Sequence, residues 1–279
     1  MPHPYLGTTA TMTTKHEKVE LVAPIFGRLG ITVNEYLWDT DELGTFSGEI
    51  PRKLGQRETA IEKARIGLKA TGSNYGLASE GSIGADPFIP LINSAIEALA
   101  WIDLERGIEL VEFERGVEIV AVKGELKSVE GLDELLVRAD FPNHALIVYP
   151  KGRMAPIFKG IRGKEELLAA LAESIRNSEE STAVVESDLR AHMSPSRQVV
   201  IRRCAERLVS RLENLCERCS LPGFGVIANL YGLPCEECGE ENERALRGEV
   251  LGCVKCDLRV EQLNGKTSAN PASCSSCNP

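Results

Sequence analysis

The chain has 279 residues, a net charge of −9, and 43% hydrophobic and 26% charged residues. Such a chain can bury a sizeable core, with room for one main domain and a small appendage. Its charge gives no broad electrostatic reason to bind nucleic acid or an anionic membrane, and its greasiest stretch, Ile83 to Ile102, is interrupted by Asp86, Pro87, Pro90, Asn93 and Glu97, too often to span a bilayer.

The opening residues lack the apolar core of a secretory signal, so a cytoplasmic protein is expected. Apolar periodicity then alternates between strand and helix. A strand is predicted at 6–12, a helix at 18–29, a strand at 31–37 and a helix at 57–70, where Ala60, Ile61, Ala64 and Leu68 share a face. A short strand follows at 75–79, ending in Glu80-Gly81. Strands at 97–103, 108–114 and 117–122, the first two followed by Glu-Arg-Gly turns, predict a β-meander. A helix at 132–138, a strand at 145–149, a helix at 164–178 and a strand at 182–186 complete this half. The last helix starts at Ser194-Pro195, with Ile201, Cys204, Leu208, Leu212 and Leu215 as one apolar stripe. The expected fold class is α/β, a mixed sheet flanked by helices over residues 1–215, followed by a small zinc-ribbon-like module over 216–279.

That module is defined by cysteines. Eight of nine fall in four C-x-x-C pairs, Cys216/Cys219, Cys235/Cys238, Cys253/Cys256 and Cys274/Cys277, with 15, 14 and 17 residues between them. A C-x-x-C turn aims two sulfurs at one point, and two turns complete a tetrahedral shell. Two structural zinc ions are therefore expected, and the tail, poor in large apolar residues, needs them in order to fold. The motif Gly-Leu-Pro-Cys-x-x-Cys-Gly followed by Gly-Cys-x-x-Cys favours pairing Cys235/Cys238 with Cys253/Cys256 across a strand at 244–251, with an interleaved arrangement as the alternative. From Cys216 onward there are six Lys/Arg against nine Asp/Glu, so nucleic acid is not the expected partner. A structural cap or a protein contact fits better. Cys204 belongs to the helix core.

Three polar loops depart from the periodic pattern. Thr13 to Lys18, between the first strand and helix, carries Thr14, Lys15, His16 and Lys18 where a phosphate-binding loop is expected. Asp39 to Glu49 holds four acids, among them Asp41, that suit Mg²⁺ on a phosphorylated ligand. Ala78 to Pro87 places Glu80 among glycines that let a ligand approach the backbone. Later, Ser187 to His192 leads into the Ser196-Arg197 helix start.

The motifs Thr-Lys-His-Glu-Lys (14–18), Asp-Thr-Asp-x-Leu-Gly-Thr-Phe-x-Gly-Glu (39–49) and Ala-Ser-Glu-Gly-Ser-x-Gly (78–84), with a four-pair cysteine tail ending in Cys-Asn-Pro, resemble a bacterial family catalogued as a domain of unknown function. More distantly, the chain resembles inosine and xanthosine triphosphate pyrophosphatases. Thr14 to Lys18 parallels their phosphate loop, with His16 in place of asparagine. Glu58-Thr59-x-x-x-Lys63-Ala64-Arg65 parallels their second helix, Gly76 to Ser82 their metal-binding strand end, and Ser196-Arg197 their late helix start. This likeness implies a Mg²⁺-dependent hydrolase of nucleoside triphosphates. In it Lys15 and Lys18 hold phosphates, Glu80 with Glu58 or Asp41 holds the metal, and Arg197 contacts base or phosphate. The alternatives are a non-catalytic nucleotide or metabolite sensor, an adaptor acting through the zinc module, and a different enzyme using the acidic loop and His192.

Overall fold

The computed structural model describes residues 2–15, 17–39, 54–153 and 155–278. Among them the first sheet has the order β2-β1-β3-β4-β5, formed by β1 (Thr9–Thr14), β2 (Thr32–Leu37), β3 (Tyr75–Ala85), β4 (Asn93–Asp103) and β5 (Ile108–Gly116). β1 runs parallel to both β2 and β3, whereas β3, β4 and β5 pair antiparallel. Helix α1 (Val19–Phe26) joins β1 to β2, and α2 (Gln56–Thr71) precedes β3.

Alternation along β3 and β4 sorts the sheet's two faces. Leu77, Leu99 and Trp101 join one core with Val22 and Phe26 of α1 and with Ile201, Cys204 and Leu208 of α5 (Pro195–Glu213). Ala78, Ala98 and Ala100 face the opposite way, against Ala60, Ile61, Ala64 and Leu68 of α2. Small residues on that face let α2 lie close: a side chain at Gly67 would overlap Thr13, and one at Gly76 would press on Leu68. Cys204 lies in the first core, as its helical position implied.

A second, antiparallel sheet has the order β6-β9-β7-β8, from β6 (Lys123–Leu126), β7 (Leu146–Pro150), β8 (Phe158–Ile161) and β9 (Ala183–Ser187). Its core is completed by α3 (Leu132–Arg138) and α4 (Lys164–Asn177), through Leu132, Leu135, Leu136, Leu167 and Leu171. It is tied to the start of α5. The Ala145 N–H donates to the Met193 carbonyl, and the His144 ring bonds Asp140 through Nδ1 and Ser196 through Nε2, both at 2.9 Å.

Two sequence expectations are corrected. Residues 117–122 form no strand of the meander. They cross to the second sheet, and the N–H groups of Val120 and Val122 donate to the Ser196 and Ser187 hydroxyls instead of a ladder. The meander is β3-β4-β5, because β3 continues six residues past Ser79 with every position paired to β4. Gly81 and Gly84 disguise that continuation as a loop.

The third sheet, β10 (Gly225–Pro234), β11 (Glu241–Gly252) and β12 (Arg259–Leu263), forms the cysteine module. Among the described residues no helix is long and apolar enough to cross a membrane.

Candidate functional site

The eight paired cysteines form two groups, Cys216/Cys219/Cys253/Cys256 and Cys235/Cys238/Cys274/Cys277, within each of which the sulfurs lie inside 4.8 Å of one another. The pairing is therefore interleaved, and the expected union of Cys235/Cys238 with Cys253/Cys256 is overturned. The reason is length: β11 separates Cys238 from Cys253 by an unbroken 12-residue strand, which at about 3.3 Å per residue spans roughly 35 Å. Each group sits at one end of the β10–β11 hairpin.

The knuckles share a backbone turn. The N–H of Cys216, Cys235 and Cys253 donates to the carbonyl five residues on, and the N–H of Ser220, Gly239 and Asn278 returns to the carbonyl of Cys216, Cys235 and Cys274. Ser220 and Gly239, each just after the second cysteine, take the left-handed conformation such a turn requires. Sγ···Sγ separations are 3.6 Å for Cys216–Cys256 and Cys219–Cys253, 3.8 Å for Cys235–Cys277 and 3.7 Å for Cys238–Cys274. All are far beyond the ~2.05 Å of a disulfide. A tetrahedron with ~2.3 Å metal–sulfur bonds has edges of about 3.8 Å. Both groups are thus positioned to hold one metal ion each.

In the α/β half, chain topology marks a different place. β2 and β3 lie on opposite sides of β1, and α1 and α2 lie on opposite faces of the sheet. The crevice at the carboxyl ends of β1 and β3 is then the switch point where α/β sheets bind ligands. β1 last pairs with β3 at Thr13 and Ala78, so Ser79, Glu80 and Gly81 extend beyond it.

There Lys18, Lys63, Glu80, Glu97 and Arg197 come together, each no more than 7% exposed. Lys18, at the start of α1, donates to Ser79 Oγ at 2.7 Å and stands 4.0 Å from Glu97 Oε2. Arg197 Nε donates to Glu97 Oε1 at 2.5 Å, and its Nη1 to the Leu189 carbonyl at 2.7 Å. On the α2 side, Lys63 Nζ donates to Glu80 Oε2 at 2.5 Å. Gln56, the first residue of α2, donates to the carbonyls of Glu80 and Ile96, holding the helix start against β3 and β4. Gly81 faces Glu97 across the ladder, and a side chain there would overlap both Glu97 and Arg197.

Among the described residues, three cations and two carboxylates leave this cluster at +1 in a chain of −9. Burial pushes the Lys18 ammonium down to about 8, partly opposed by the charge of Glu97. For Glu97 burial acts to raise the value, but the charges of Arg197 and Lys18 prevail and hold it below the ordinary carboxylate range. The three cations thus stand on both faces of the sheet end, beside the two carboxylates.

Of the residues expected from sequence, the structure unites Lys18, Glu80 and Arg197. Thr14 ends β1, and Lys15 pairs with Asp39 at 2.7 Å at the more exposed rim. Glu58 is exposed in the first turn of α2, its carboxylate folded against Gly55 rather than turned to Glu80, so the structure does not assemble the expected Glu80–Glu58 ligand pair. His16 and Asp41 lie outside the described residues. Sequence reasoning passed over Glu97, although a lone carboxylate in the apolar run Ala95–Ile102 is a signal. It also left Lys63 unassigned, although that residue shares the buried face of α2 with Ala60 and Gly67. Apart from the cysteine groups, the described residues contain no cluster of three or more metal-ligating side chains.

The family model for the domain of unknown function DUF6671 matches residues 63–279. The chain belongs to that family. The match takes in Lys63, Glu80, Glu97, Arg197 and both cysteine groups, and starts after Lys18. No curated protein matches the chain.

Proposed function

We propose that this DUF6671 protein binds a nucleotide or other phosphorylated small molecule at the carboxyl ends of β1 and β3 and hydrolyses its phosphoanhydride bond. The observation that carries this reading is the burial of Lys18, Lys63 and Arg197 beside two carboxylates among the described residues at the switch point. Such charge is expensive to bury, and an anionic ligand would meet three cations there. The three cations would bear on the non-bridging phosphate oxygens as charge shifts toward the leaving group. A divalent cation bound with the phosphates would supply charge neutralisation and a more acidic water. The distant likeness to triphosphate pyrophosphatases adds the reaction type.

In the same reading the two cysteine groups hold structural zinc. All-thiolate shells suit zinc, and a closed shell of four leaves no position for water. A binding role without turnover is favoured by one observation: Glu80 is engaged in an ion pair with Lys63, which leaves it a poor proton acceptor.

The test is pyrophosphate and phosphate release from a panel of nucleoside triphosphates with Mg²⁺, using zinc-loaded wild type and Lys18→Met. Turnover that disappears in the variant is the expected result. Ligand binding without turnover would leave a sensor, and neither binding nor turnover would end the proposal.

A further inference from the structure

We propose that Glu97, through its Oε2 atom, is the carboxylate that takes the divalent cation accompanying the phosphorylated ligand. This rests on the phosphate-site reading and departs from the Glu80-centred metal site that the sequence suggested.

Glu97 is 1% exposed, yet its Oε2 has no hydrogen-bond partner among the described residues. Lys18 Nζ, at 4.0 Å, is beyond hydrogen-bond reach and donates to Ser79. An ionised oxygen buried without donors carries a desolvation penalty that a partner is expected to relieve. The other oxygen is fixed by Arg197, and the pair lies on the bare backbone of Gly81. The carboxylate is thus oriented, with one lone-pair-bearing atom left for a guest.

Glu80 is differently placed. Its Oε2 is bound to Lys63 at 2.5 Å, on the α2 side of the sheet, so metal binding there would first break a buried ion pair. Charge selects the kind of guest. Among the described residues the cluster is +1, which disfavours a lone cation. A terminal phosphate brings roughly −1.5 to −2, turning the crevice negative and creating a place for a dication. Oxygen donors from one carboxylate and a phosphate chain select a hard ion, Mg²⁺ or Mn²⁺.

The test is Mn²⁺ binding to the zinc-loaded full chain by electron paramagnetic resonance, with and without tripolyphosphate, for wild type, Glu97→Gln and Glu80→Gln. Tripolyphosphate should strengthen Mn²⁺ binding to wild type. Glu97→Gln, which keeps an oxygen able to accept from Arg197, should weaken the ternary site tenfold or more, and Glu80→Gln less than threefold. Thermal melting of each variant separates a lost ligand from a lost fold. If Glu97→Gln melts early, Glu97→Asp, which keeps the charge but retracts it, should still weaken Mn²⁺ at least threefold. Unchanged Mn²⁺ affinity in Glu97→Gln, or an equal loss in Glu80→Gln, overturns the assignment. Tripolyphosphate binding to wild type without Mn²⁺ uptake overturns it and spares the phosphate site, whereas no tripolyphosphate binding removes both.

Discussion

The cysteine module and the switch-point cluster solve opposite problems. The module gathers eight thiols to hold a sheet that buries little: β12 is exposed at every position, and Val226, Ile227, Tyr231, Leu246, Val260 and Leu263 of this sheet are all exposed. The cluster gathers five charges inside a well-packed sheet, where apolar residues would be the more stable choice. One site supplies the stability that its surroundings lack, and the other spends what its surroundings provide. Burial of charge in the second is the observation behind the proposed phosphate site.

The module is itself uneven. Leu221 and Val254, within and beside the knuckles of the Cys216 group, pack on the main core, and Lys255 Nζ donates to the Gly107 carbonyl. The Cys235 group lies at the far end of the hairpin, with Cys238 and Cys277 exposed.

The largest effect should come from removing metal. Zinc coordination in small modules is worth about 10–16 kcal/mol, so a strong chelator should unfold residues beyond Cys216, read as loss of amide protection in β10–β12. Cys216→Ser should lower the melting temperature of the whole protein, whereas Cys238→Ser should expose the hairpin tip with the main transition nearly unchanged. Equal effects from the two substitutions would break the distinction between anchored and distal groups.

Next comes the ion pair. Lys63→Met alone takes from the buried Glu80 carboxylate its Lys63 ion-pair partner and should cost about 3–5 kcal/mol in denaturant unfolding. Lys63→Met with Glu80→Leu should recover most of that loss, while ligand binding stays abolished. If the double variant stays as unstable as the single one, the pair is a structural element rather than a burden carried for binding.

A smaller effect concerns pH. The folded Lys18 value, near 8, lies below the ordinary lysine value of 10.5. The native state therefore favours the neutral amine more than the unfolded chain does. The resulting penalty is fully present below about 8 and is relieved as pH rises toward 10.5, so stability from this group increases across that window. Phosphate affinity should move the other way, falling above about pH 8 as the ammonium loses its proton, and Lys18→Met should remove both trends. The smallest effect is at Ser220, whose positive φ glycine tolerates better: Ser220→Gly should add about 1 kcal/mol at most.

Sequence reading reached the module almost completely because its ligands are local: each C-x-x-C turn is specified within four residues. It missed which pairs join, since that depends on β10 and β12, and the exposed, mixed Gly225–Pro234 and Arg259–Leu263 segments carry no periodic signal. The order of helices and strands through α2 was legible, with α3 placed residue for residue. The cluster was half legible. Lys18 stands at the start of α1, and Glu80 sits beside glycines that read as a loop, where polar residues attract notice. Glu97 and Lys63 sit within elements, and their meaning appears only when β3 pairs with β4 and α2 docks on the sheet.

The most direct test of the central claim is calorimetric titration of tripolyphosphate into the zinc-loaded protein at pH 7, comparing wild type with Lys18→Met. Binding by wild type that weakens at least tenfold in the variant is the predicted result. No binding by wild type, or equal binding by both, would contradict a phosphate site at the ends of β1 and β3.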